Sequence, residues 1–443
     1  MRVLFGTDGI RAKSGAYPLD SATMFALGEA LAHRLGGASV LLGMDTRESG
    51  PEIARSLAAG IVQGGGTAVF VGIIPTPGVA YLCRTTDAAA AISISASHNP
   101  FEDNGVKIFG HDGMKVPDSV EEQIEDELRA VRREDVVIPQ IDLTENATLI
   151  EQYERFLIGG VPPAALSGRK VVLDTGYGAA SRIGPEVFRR AGAEVVVIHD
   201  TPNGRNINQD AGALHPEHLA SVVVEQGADY GVAFDGDADR AIFVDDAGKV
   251  RDGDEVIYLW AKSLVRRGAL RGNCVVTTVM SNFGFEKQLQ ADGIELCRAQ
   301  VGDKYVLEVM LERDALLGGE QSGHIIDRSV HTTGDGIHTA LVFGHILSEM
   351  GSPFSRLATF DPMPQLLLNE RVRAKPPLDT LPRYQAAHAA ALEELEGRGR
   401  ILVRYSGTEN LVRVMVEGED RSLITRIAEE LRAVLRAEID QSA

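Results

Sequence analysis

Three aspartates alternate along one polar loop: Asp235, Asp237 and Asp239 directly follow the apolar run 230–234. Alternate residues of an extended loop can point at one centre, and like charges this close repel one another unless a cation lies among them. Carboxylate oxygens favour a hard ion such as Mg²⁺ or Ca²⁺. An EF-hand loop needs glycine at its sixth position, where this sequence has Arg240. The loop therefore predicts a metal site of another kind, and a solvated acidic loop is the alternative.

Ser97 lies in a second polar loop, between the apolar run 89–94 and Pro100, beside His98 and Asn99. In α/β sheets, functional sites gather at the carboxyl ends of strands. A serine hydroxyl can carry a phosphoryl group, and a neighbouring imidazole can help to position it. We interpret Ser97 as a phosphoryl carrier. A turn in which Ser and Asn side chains cap their own backbone is the alternative.

A third polar loop, residues 318–324, also follows a predicted strand. Glu320, Ser322 and His324 offer an acceptor, a group that both donates and accepts, and a titratable ring. That set suits the hydroxyls of a sugar. A structural turn is the simpler explanation of this loop taken alone.

A fourth loop, residues 404–410, lies between two predicted strands near the C-terminus. Ser and Thr hydroxyls and a Gly backbone stand there between two arginines, Arg404 and Arg413. This combination suits a phosphate group, and a capped turn with surface arginines is the alternative. Two more cations stand in loops, Arg11 in the glycine-rich segment 5–11 and Lys107 soon after the Ser97 loop.

Bulk composition excludes several classes of function. The formal net charge of −19 over 443 residues argues against a nucleic-acid partner and against an anionic membrane surface. The three cysteines form no CxxC pair, so we expect no disulfide framework or zinc thiolate site, and a cytoplasmic location. The N-terminal segment has no long apolar core of the kind a signal peptide needs, and no membrane partner is expected. No Walker A or dinucleotide-binding loop stands out.

The order of the elements predicts the fold class. Short apolar runs alternate with helix-length amphipathic stretches, as in parallel sheets covered by helices, and this order restarts twice. A proline-rich stretch then precedes a helix, two strands and a closing helix. We predict three tandem, related α/β domains with mixed, largely parallel sheets and a C-terminal α+β domain. Their predicted ranges are 1–150, 151–250, 251–365 and 366–443.

The motifs as a set resemble the α-D-phosphohexomutase superfamily. The segments that carry the resemblance are GTDGIR (6–11), ISASHNPFEDNGVKIF (94–109), DGDADR (235–240), GGEQSGH (318–324), TTGDGI (332–337) and RYSGTENLVRVMVE (404–417). They occur in the family's order over essentially the whole chain, and GEQSG favours the branch that acts on glucosamine phosphates. The resemblance implies four domains around a central cleft. It also implies interconversion of glucosamine 6-phosphate and glucosamine 1-phosphate through a phosphoserine and a 1,6-bisphosphate.

The resemblance also implies roles for individual motif residues. The catalytic residues would be Ser97, Lys107, Arg11, His98 and His324. One Mg²⁺ per chain would be held by Ser97, as phosphoserine, with Asp235, Asp237 and Asp239. The phosphosugar substrate would be held by Glu320, Ser322, Arg240, Arg404, Ser406, Gly407, Thr408 and Arg413. Glucosamine or glucose 1,6-bisphosphate would be the phosphorylating activator, and the product would feed amino-sugar nucleotide and cell-wall precursor synthesis.

Two departures and several alternatives stand beside this interpretation. Ala238 replaces a glycine of the family's metal loop, which matters only if the backbone there needs a positive φ, and Asn410 replaces a proline.

Phosphomannomutase or phosphoglucomutase activity is the nearest alternative function, and a metal-dependent sugar phosphatase is another. A silent metabolite-binding protein would not need a phosphoryl carrier. The sequence itself does not show the oligomeric state; if the chain assembles, we expect a homodimer.

Overall fold

The computed structural model describes residues 4–6, 8–130, 138–406 and 410–442. They form two compact units, one built from residues 1–278 and 297–358, the other from residues 279–296 and 359–443. Each unit has its own sheets and its own hydrophobic core. Among the described helices, none is both long and apolar enough to cross a membrane.

The N-terminal strands of the first unit form one mixed sheet. These strands are β1 (Phe5–Gly6), β2 (Gly9–Lys13), β3 (Ser39–Met44), β4 (Thr67–Ile73), β5 (Ala90–Ile94) and β6 (Asp103–Gly110). Their order is β1-β2-β6-β5-β3-β4, in which β3 runs parallel to β4 and β5, while β6 is antiparallel to both β5 and β2. The accompanying helices are α1 (Ser21–Arg34), α2 (Gly50–Gln63), α3 (Thr76–Thr85) and α4 (Asp118–Ala130). Every residue of β5 is buried, as expected for a central strand covered on both faces.

A second mixed sheet follows along the chain. Its strands and helices are α5 (Ala147–Gly159), β7 (Lys170–Asp174), α6 (Ala180–Arg190), β8 (Glu194–Ile198), α7 (Glu217–Gln226), β9 (Tyr230–Phe234), β10 (Ala241–Asp245) and β11 (Val250–Arg251). The order is β11-β10-β9-β7-β8, with β7 parallel to β8 and β9 and with β10 antiparallel to β9. The three-aspartate loop is thus the connection between two adjacent buried strands, β9 and β10.

A third set of elements completes the first unit. They are α8 (Gly253–Arg266), β12 (Cys274–Thr278), α9 (Phe283–Ala291), which belongs to the second unit, β13 (Glu295–Ala299), α10 (Asp303–Glu312), β14 (Leu317–Gly319), β15 (Ile325–Asp327) and α11 (Gly336–Met350). The sheet order is β13-β12-β14-β15. The strand expected before residue 318 is β14, which begins at Leu317. Ala315 lies just after α10, where its N–H donates to the Met310 carbonyl, and strand pairing begins two residues later, at Leu317.

The second unit contains a small α+β fold, as predicted. Its elements after α9 are β16 (Gln365–Arg371), α12 (Pro382–Leu395), β17 (Gly399–Tyr405), β18 (Leu411–Gly418) and α13 (Arg421–Ser442). The strands form an antiparallel sheet in the order β16-β18-β17. Alternate valines of β18, at 412, 414 and 416, are fully buried in one core with Leu431 and Leu435 of α13.

Helices α1 and α2 cross in near contact at two glycines. A Cβ at Gly60 would lie 1.9 Å from the carbonyl oxygen of Phe25, and a Cβ at Gly28 would lie 2.2 Å from that of Leu57. Backbone atoms cannot yield as a flexible side chain can. The crossing therefore requires both glycines, and it seats the two helices in the core of the N-terminal sheet.

We predict that Gly60→Ala destabilises the protein, because the added methyl group forces α1 and α2 apart. Overpacking of this kind costs roughly 1–3 kcal/mol of unfolding free energy. The measurement is the midpoint of urea unfolding. The control is Gly159→Ala at the end of α5, where a Cβ meets nothing within 4 Å, and which should leave the midpoint unchanged or slightly raised. Equal midpoints for the two variants would contradict the prediction.

Candidate active site

The Ser97 loop and the three-aspartate loop meet inside the first unit. Ser97 is 1% exposed, and its hydroxyl donates to Asp235 Oδ2 at 2.7 Å. Burial, followed by the charges of Asp239 and Asp237, raises the pKa of Asp235 well above its ordinary value. Ser97 adopts φ +52°, a left-handed conformation that a serine rarely takes. Such strain is typical of functional positions and persists only where the surroundings impose it.

The three aspartates form a cluster with the geometry of a metal site. Asp235, Asp237 and Asp239 each offer a carboxylate oxygen within 4.8 Å of the other two. Oδ1 of Asp237 and Oδ1 of Asp239 are buried and have no hydrogen-bond partner among the described residues. A buried carboxylate oxygen without a partner is costly, and a hard divalent cation would satisfy both atoms at once. The residues therefore fit a divalent metal ion.

Lys107 brings the nearest positive charge to this cluster. Its Nζ lies 3.0 Å from Asp237 Oδ2, 3.5 Å from Asp239 Oδ2 and 3.2 Å from Asp8 Oδ2. Burial alone would lower the pKa of Lys107, and the three carboxylates outweigh it and raise that pKa well above the ordinary value. Strand pairing explains the position, because Lys107 of β6 lies opposite Ser93 of β5, just before the Ser97 loop. Lys107 is therefore held as an ammonium group.

Asp8 joins Lys107 to two further cations. It accepts from Arg11 and from Lys115, and Lys115 also lies 2.8 Å from Asp303 Oδ2 at the start of α10. Burial opposes the charge on Lys115, yet Asp303 and Asp8 raise its pKa to about 12. Sequence reasoning missed Asp8, Lys115 and Asp303. The GTDGIR motif contains Asp8 and could have drawn attention to it, whereas the other two follow no motif that we singled out.

Arg11 also reaches the Ser97 loop. Its Nη1 donates to the carbonyl oxygen of Ala96 at 3.3 Å, while its Nε is buried with no hydrogen-bond partner among the described residues. Thr76, at the start of α3, is a further residue that the sequence did not indicate. Its hydroxyl donates to Asp237 Oδ2 at 2.8 Å, and its N–H donates to the Asp237 carbonyl. Thr76 therefore fixes the orientation of that carboxylate.

His98 stands next to the Ser97 hydroxyl as a neutral ring. Burial, followed by the charges of Arg240 and Arg11, lowers the pKa of His98 to about 4. Its Nδ1 lies 3.2 Å from Ser97 Oγ. Because the Ser97 proton is directed at Asp235, Nδ1 carries its own proton and donates to Ser97 Oγ.

His324 lies between two carboxylates. Burial alone would lower the pKa of His324, and Asp239 and Asp303 outweigh it and raise that pKa to about 9. The backbone N–H of Gly334, however, donates to Nε2 of this ring at 3.0 Å, and only an unprotonated nitrogen accepts such a bond. That hydrogen bond requires a neutral ring, although the two carboxylates favour the charged form. The remaining proton, on Nδ1, faces Asp239 Oδ1 at 3.5 Å.

The candidate sugar loop is held by its own hydrogen bonds. Glu320 accepts from the Gly302 N–H at 3.1 Å and from the Ser322 hydroxyl at 3.2 Å. Gln321, which belongs to the GEQSG motif, donates instead to Asp252 at 2.9 Å. Glu320 is therefore the better placed of the two to meet a ligand. Arg240 lies closer to the aspartates, with its Nε 3.8 Å from Asp239 Oδ1.

The candidate phosphate loop belongs to the second unit. Arg404 and Arg413 lie directly opposite each other in the pairing of β17 with β18. Burial, followed by the charge of Arg413, lowers the pKa of Arg404. Like charges at opposite positions are destabilising unless an anion lies between them. Ser406 is buried and its carbonyl oxygen accepts from a lysine, whereas residues 407 and 408, Gly and Thr, lie outside the described residues.

Four family descriptions match successive stretches of the chain. The matches are to phosphoglucomutase/phosphomannomutase α/β/α domain I at residues 2–135, domain II at 153–248, domain III at 252–362 and the C-terminal domain at 367–434. The chain is also similar to curated proteins. It is 47% identical to a phosphoglucosamine mutase of Solibacter usitatus, over 99% of each chain. It is 46% identical to one of Symbiobacterium thermophilum, over 98% of this chain and 99% of that one.

Solved structures agree in fold. A phosphoglucomutase/phosphomannomutase family protein from Burkholderia thailandensis matches with a TM-score of 0.79 at 22% identity, over 98% of this chain and 97% of that one. The Aspergillus fumigatus N-acetylphosphoglucosamine mutase, solved with GlcNAc-6P and magnesium, matches with a TM-score of 0.66 at 18% identity, over 99% of this chain and 96% of that one. At these identities the likeness shows the fold alone.

We predict that Asp237→Asn lowers the affinity for a divalent cation by at least about tenfold, because it removes one charge from the cluster. The measurement is titration of the purified protein with Mn²⁺, followed by electron paramagnetic resonance. The matched control is Asp246→Asn, an aspartate outside the cluster that bonds Ser355. An unchanged Mn²⁺ affinity for Asp237→Asn would show that the ion binds elsewhere.

Proposed function

The chain belongs to the phosphoglucomutase/phosphomannomutase family, and from that premise we propose that it is a phosphoglucosamine mutase. Relatives named phosphoglucosamine mutase are 41–47% identical to it over nearly their whole length. The reaction is the interconversion of glucosamine 6-phosphate and glucosamine 1-phosphate. The observation that supports it most directly is the buried Ser97 hydroxyl, which donates to Asp235 at the edge of a carboxylate cluster.

Ser97 carries the phosphoryl group in this proposal. A free hydroxyl of the sugar monophosphate attacks the phosphorus of phosphoserine, and the bond from phosphorus to Ser97 Oγ breaks. The sugar becomes a 1,6-bisphosphate, and the proton that its hydroxyl loses is balanced by the proton that Ser97 Oγ gains. After the bisphosphate turns round, Ser97 Oγ takes the other phosphoryl group. Positioning and charge stabilisation supply most of the catalysis in such transfers.

The residues around Ser97 provide that stabilisation. Lys107 is held as an ammonium group, so it acts as a charge and a proton donor rather than as a base. Arg11 places a second positive charge at the Ser97 loop. His98 donates to Ser97 Oγ and can stabilise that oxygen as the leaving group. When bound at the aspartates, Mg²⁺ withdraws negative charge from the transferring group. His324 faces Asp239, one of the proposed ligands, at 3.5 Å.

Substrate recognition depends on two groups of residues in this proposal. Glu320 and Ser322 hold sugar hydroxyls, and Arg240 contacts the substrate near the metal. The phosphate that does not react is held by the phosphate loop, that is, by Arg404, Ser406, Gly407, Thr408 and Arg413. One loop can serve both halves of the reaction, since the bisphosphate presents either phosphate to it in turn.

Further parts of the proposal concern the cell. Glucosamine or glucose 1,6-bisphosphate would first phosphorylate Ser97. The enzyme would act in the cytoplasm on small phosphosugars and supply amino-sugar nucleotide synthesis for cell-wall precursors. A homodimer is the assembly that we propose. Its test is the molar mass in solution by light scattering.

We predict that Ser97→Ala abolishes both phosphorylation and turnover, because no other hydroxyl occupies its position next to Asp235. The protein is incubated with glucose 1,6-bisphosphate and its intact mass is measured, and turnover of glucosamine 6-phosphate is assayed in parallel. The control, Ser329→Ala, changes an exposed serine and should behave as the wild type does. A phosphoryl group that remains on Ser97→Ala would rule out Ser97 as the carrier.

We also predict that kcat/KM for glucosamine 6-phosphate exceeds that for glucose 6-phosphate and mannose 6-phosphate by about tenfold or more. A site that pairs with the amino group leaves its polar groups less well satisfied when a hydroxyl replaces that group. The measurement compares the three substrates under one set of conditions. Preference for mannose or glucose would reassign the substrate, and release of inorganic phosphate in place of an isomer would indicate a phosphatase.

A further inference from the structure

Arg47 is a fully buried arginine to which none of the motifs assigned a role. It lies in the segment that joins β3 to α2, and its side chain has no exposed surface. A buried guanidinium is retained only when its charge and all its N–H groups are satisfied. The partners of Arg47 therefore indicate what its presence achieves.

All five N–H groups of the Arg47 guanidinium have acceptors. Nε donates to Asp45 Oδ2 at 2.9 Å. Nη1 and Nη2 donate to four carbonyl oxygens of the Ser97 loop, namely those of Ser97 at 3.0 Å, Asn99 at 2.8 Å, Asp103 at 2.9 Å and Pro100. A single side chain thus binds four backbone carbonyl groups between Ser97 and Asp103.

The hydrogen-bond network around Arg47 also includes the N–H of Ser97. Asp45 Oδ2 accepts from the Ser95 hydroxyl at 2.6 Å, and Ser95 Oγ accepts from the Ser97 N–H at 2.9 Å. Both backbone polar groups of Ser97 are therefore anchored through the set that we call the Arg47 clamp: Arg47, Asp45 and Ser95. The Ser97 carbonyl accepts a second bond, from Asn208 Nδ2 at 3.0 Å.

Two physical consequences follow for Ser97. Its left-handed backbone is strained, and the hydrogen bonds of its anchored N–H and C=O groups can offset that strain. Carbonyl oxygens that turned toward the side chain would repel a phosphoryl group on Oγ. Because these oxygens accept from the guanidinium, they are held by it and are not free to turn toward Oγ.

We propose that Arg47 is a positioning residue for phosphoryl transfer, which it serves by holding the Ser97 loop with its carbonyl oxygens withdrawn from the phosphoryl group. This inference rests on the proposed function. It goes beyond that function because, in the contacts described above, Arg47 bonds neither to the metal-site aspartates 235, 237 and 239 nor to a substrate loop. Lysine cannot replace it, since an ammonium group has three donors and no fork geometry, so at least two of the five acceptors would lose their bond.

The test compares Arg47→Lys with a matched control, Arg251→Lys. Arg251 is also a buried arginine, and it is bonded to Asp245 and Glu255, away from the Ser97 loop. In Arg47→Lys we expect kcat for glucosamine 6-phosphate to fall by about 100-fold, because a displacement near 1 Å has an effect of that size. KM should stay within about threefold, since the residues that hold the sugar are unchanged. Arg251→Lys should lose thermal stability and keep its kcat within about threefold.

A milder variant keeps the proposal testable if Arg47→Lys does not fold. Ser95→Ala removes only one hydroxyl of the Arg47 clamp, and we expect its kcat to fall by about tenfold at unchanged KM, because the Ser97 N–H loses its acceptor. Hydrogen exchange of the peptide spanning 94–103 should become faster in both clamp variants and stay unchanged in Arg251→Lys.

The outcomes separate this proposal from the function on which it rests. A folded Arg47→Lys or Ser95→Ala with kcat within about threefold of the wild type overturns the positioning role, whatever the exchange shows. If the wild-type protein does not interconvert glucosamine phosphates, the proposed function fails. In that case the exchange of 94–103 decides whether the Arg47 clamp orders the loop, and unchanged exchange in both clamp variants overturns it.

Discussion

Repulsion among three buried carboxylates is the constraint on which the rest of the site depends. Asp235, Asp237 and Asp239 bring oxygens within 4.8 Å of one another in an interior where such charges interact strongly. The protein offsets part of that charge with Lys107, which contacts two of the three. Thr76 adds a neutral hydrogen bond. These donors leave Oδ1 of Asp237 and Oδ1 of Asp239 without a hydrogen bond, and a divalent ion can bind both oxygens.

Hydrogen bonds from protein groups to the carboxylate oxygens explain why the cluster keeps its shape. Oδ2 of Asp237 binds Lys107 and Thr76, while Oδ1 has no partner among the described residues. Asp235 binds the Ser97 hydroxyl through Oδ2 and the Arg240 N–H through Oδ1. A carboxylate fixed by one oxygen cannot rotate freely about its bond to Cβ, so the other is preorganised for a ligand. Arg47 does for the serine loop what Lys107 and Thr76 do for the aspartate loop.

Sequence reasoning located polar loops where chemistry and local structure coincide, and it missed residues whose contacts cross the fold. The aspartate loop was predicted because it follows the buried strand β9, and the arginine pair because it flanks a turn between two strands. Asp303 lies 188 residues from Lys115 along the chain, and no local pattern shows that they meet. Arg47 lies 50 residues before Ser97, inside a short polar segment that resembles any other turn. The Asp303–Lys115 contact and the contacts of Arg47 are recognised from burial and hydrogen-bond partners in the structure, not from residue type.

Backbone strain occurs in both the aspartate loop and the Ser97 loop, and in the aspartate loop it involves the TTGDGI segment, to which no role was assigned. Ala238 adopts φ +54°, the condition under which its replacement of glycine matters, and at Ser97 φ is +52°. Backbone conformations with positive φ at non-glycine residues persist only where surrounding contacts impose them. The segment TTGDGI provides such contacts for the aspartate loop, because the Gly336 N–H donates to the Ala238 carbonyl at 2.9 Å. A Cβ at Gly336 would lie 2.4 Å from the Arg240 carbonyl, so only glycine allows the approach. The glycine of that motif therefore stabilises the aspartate loop through close backbone contact.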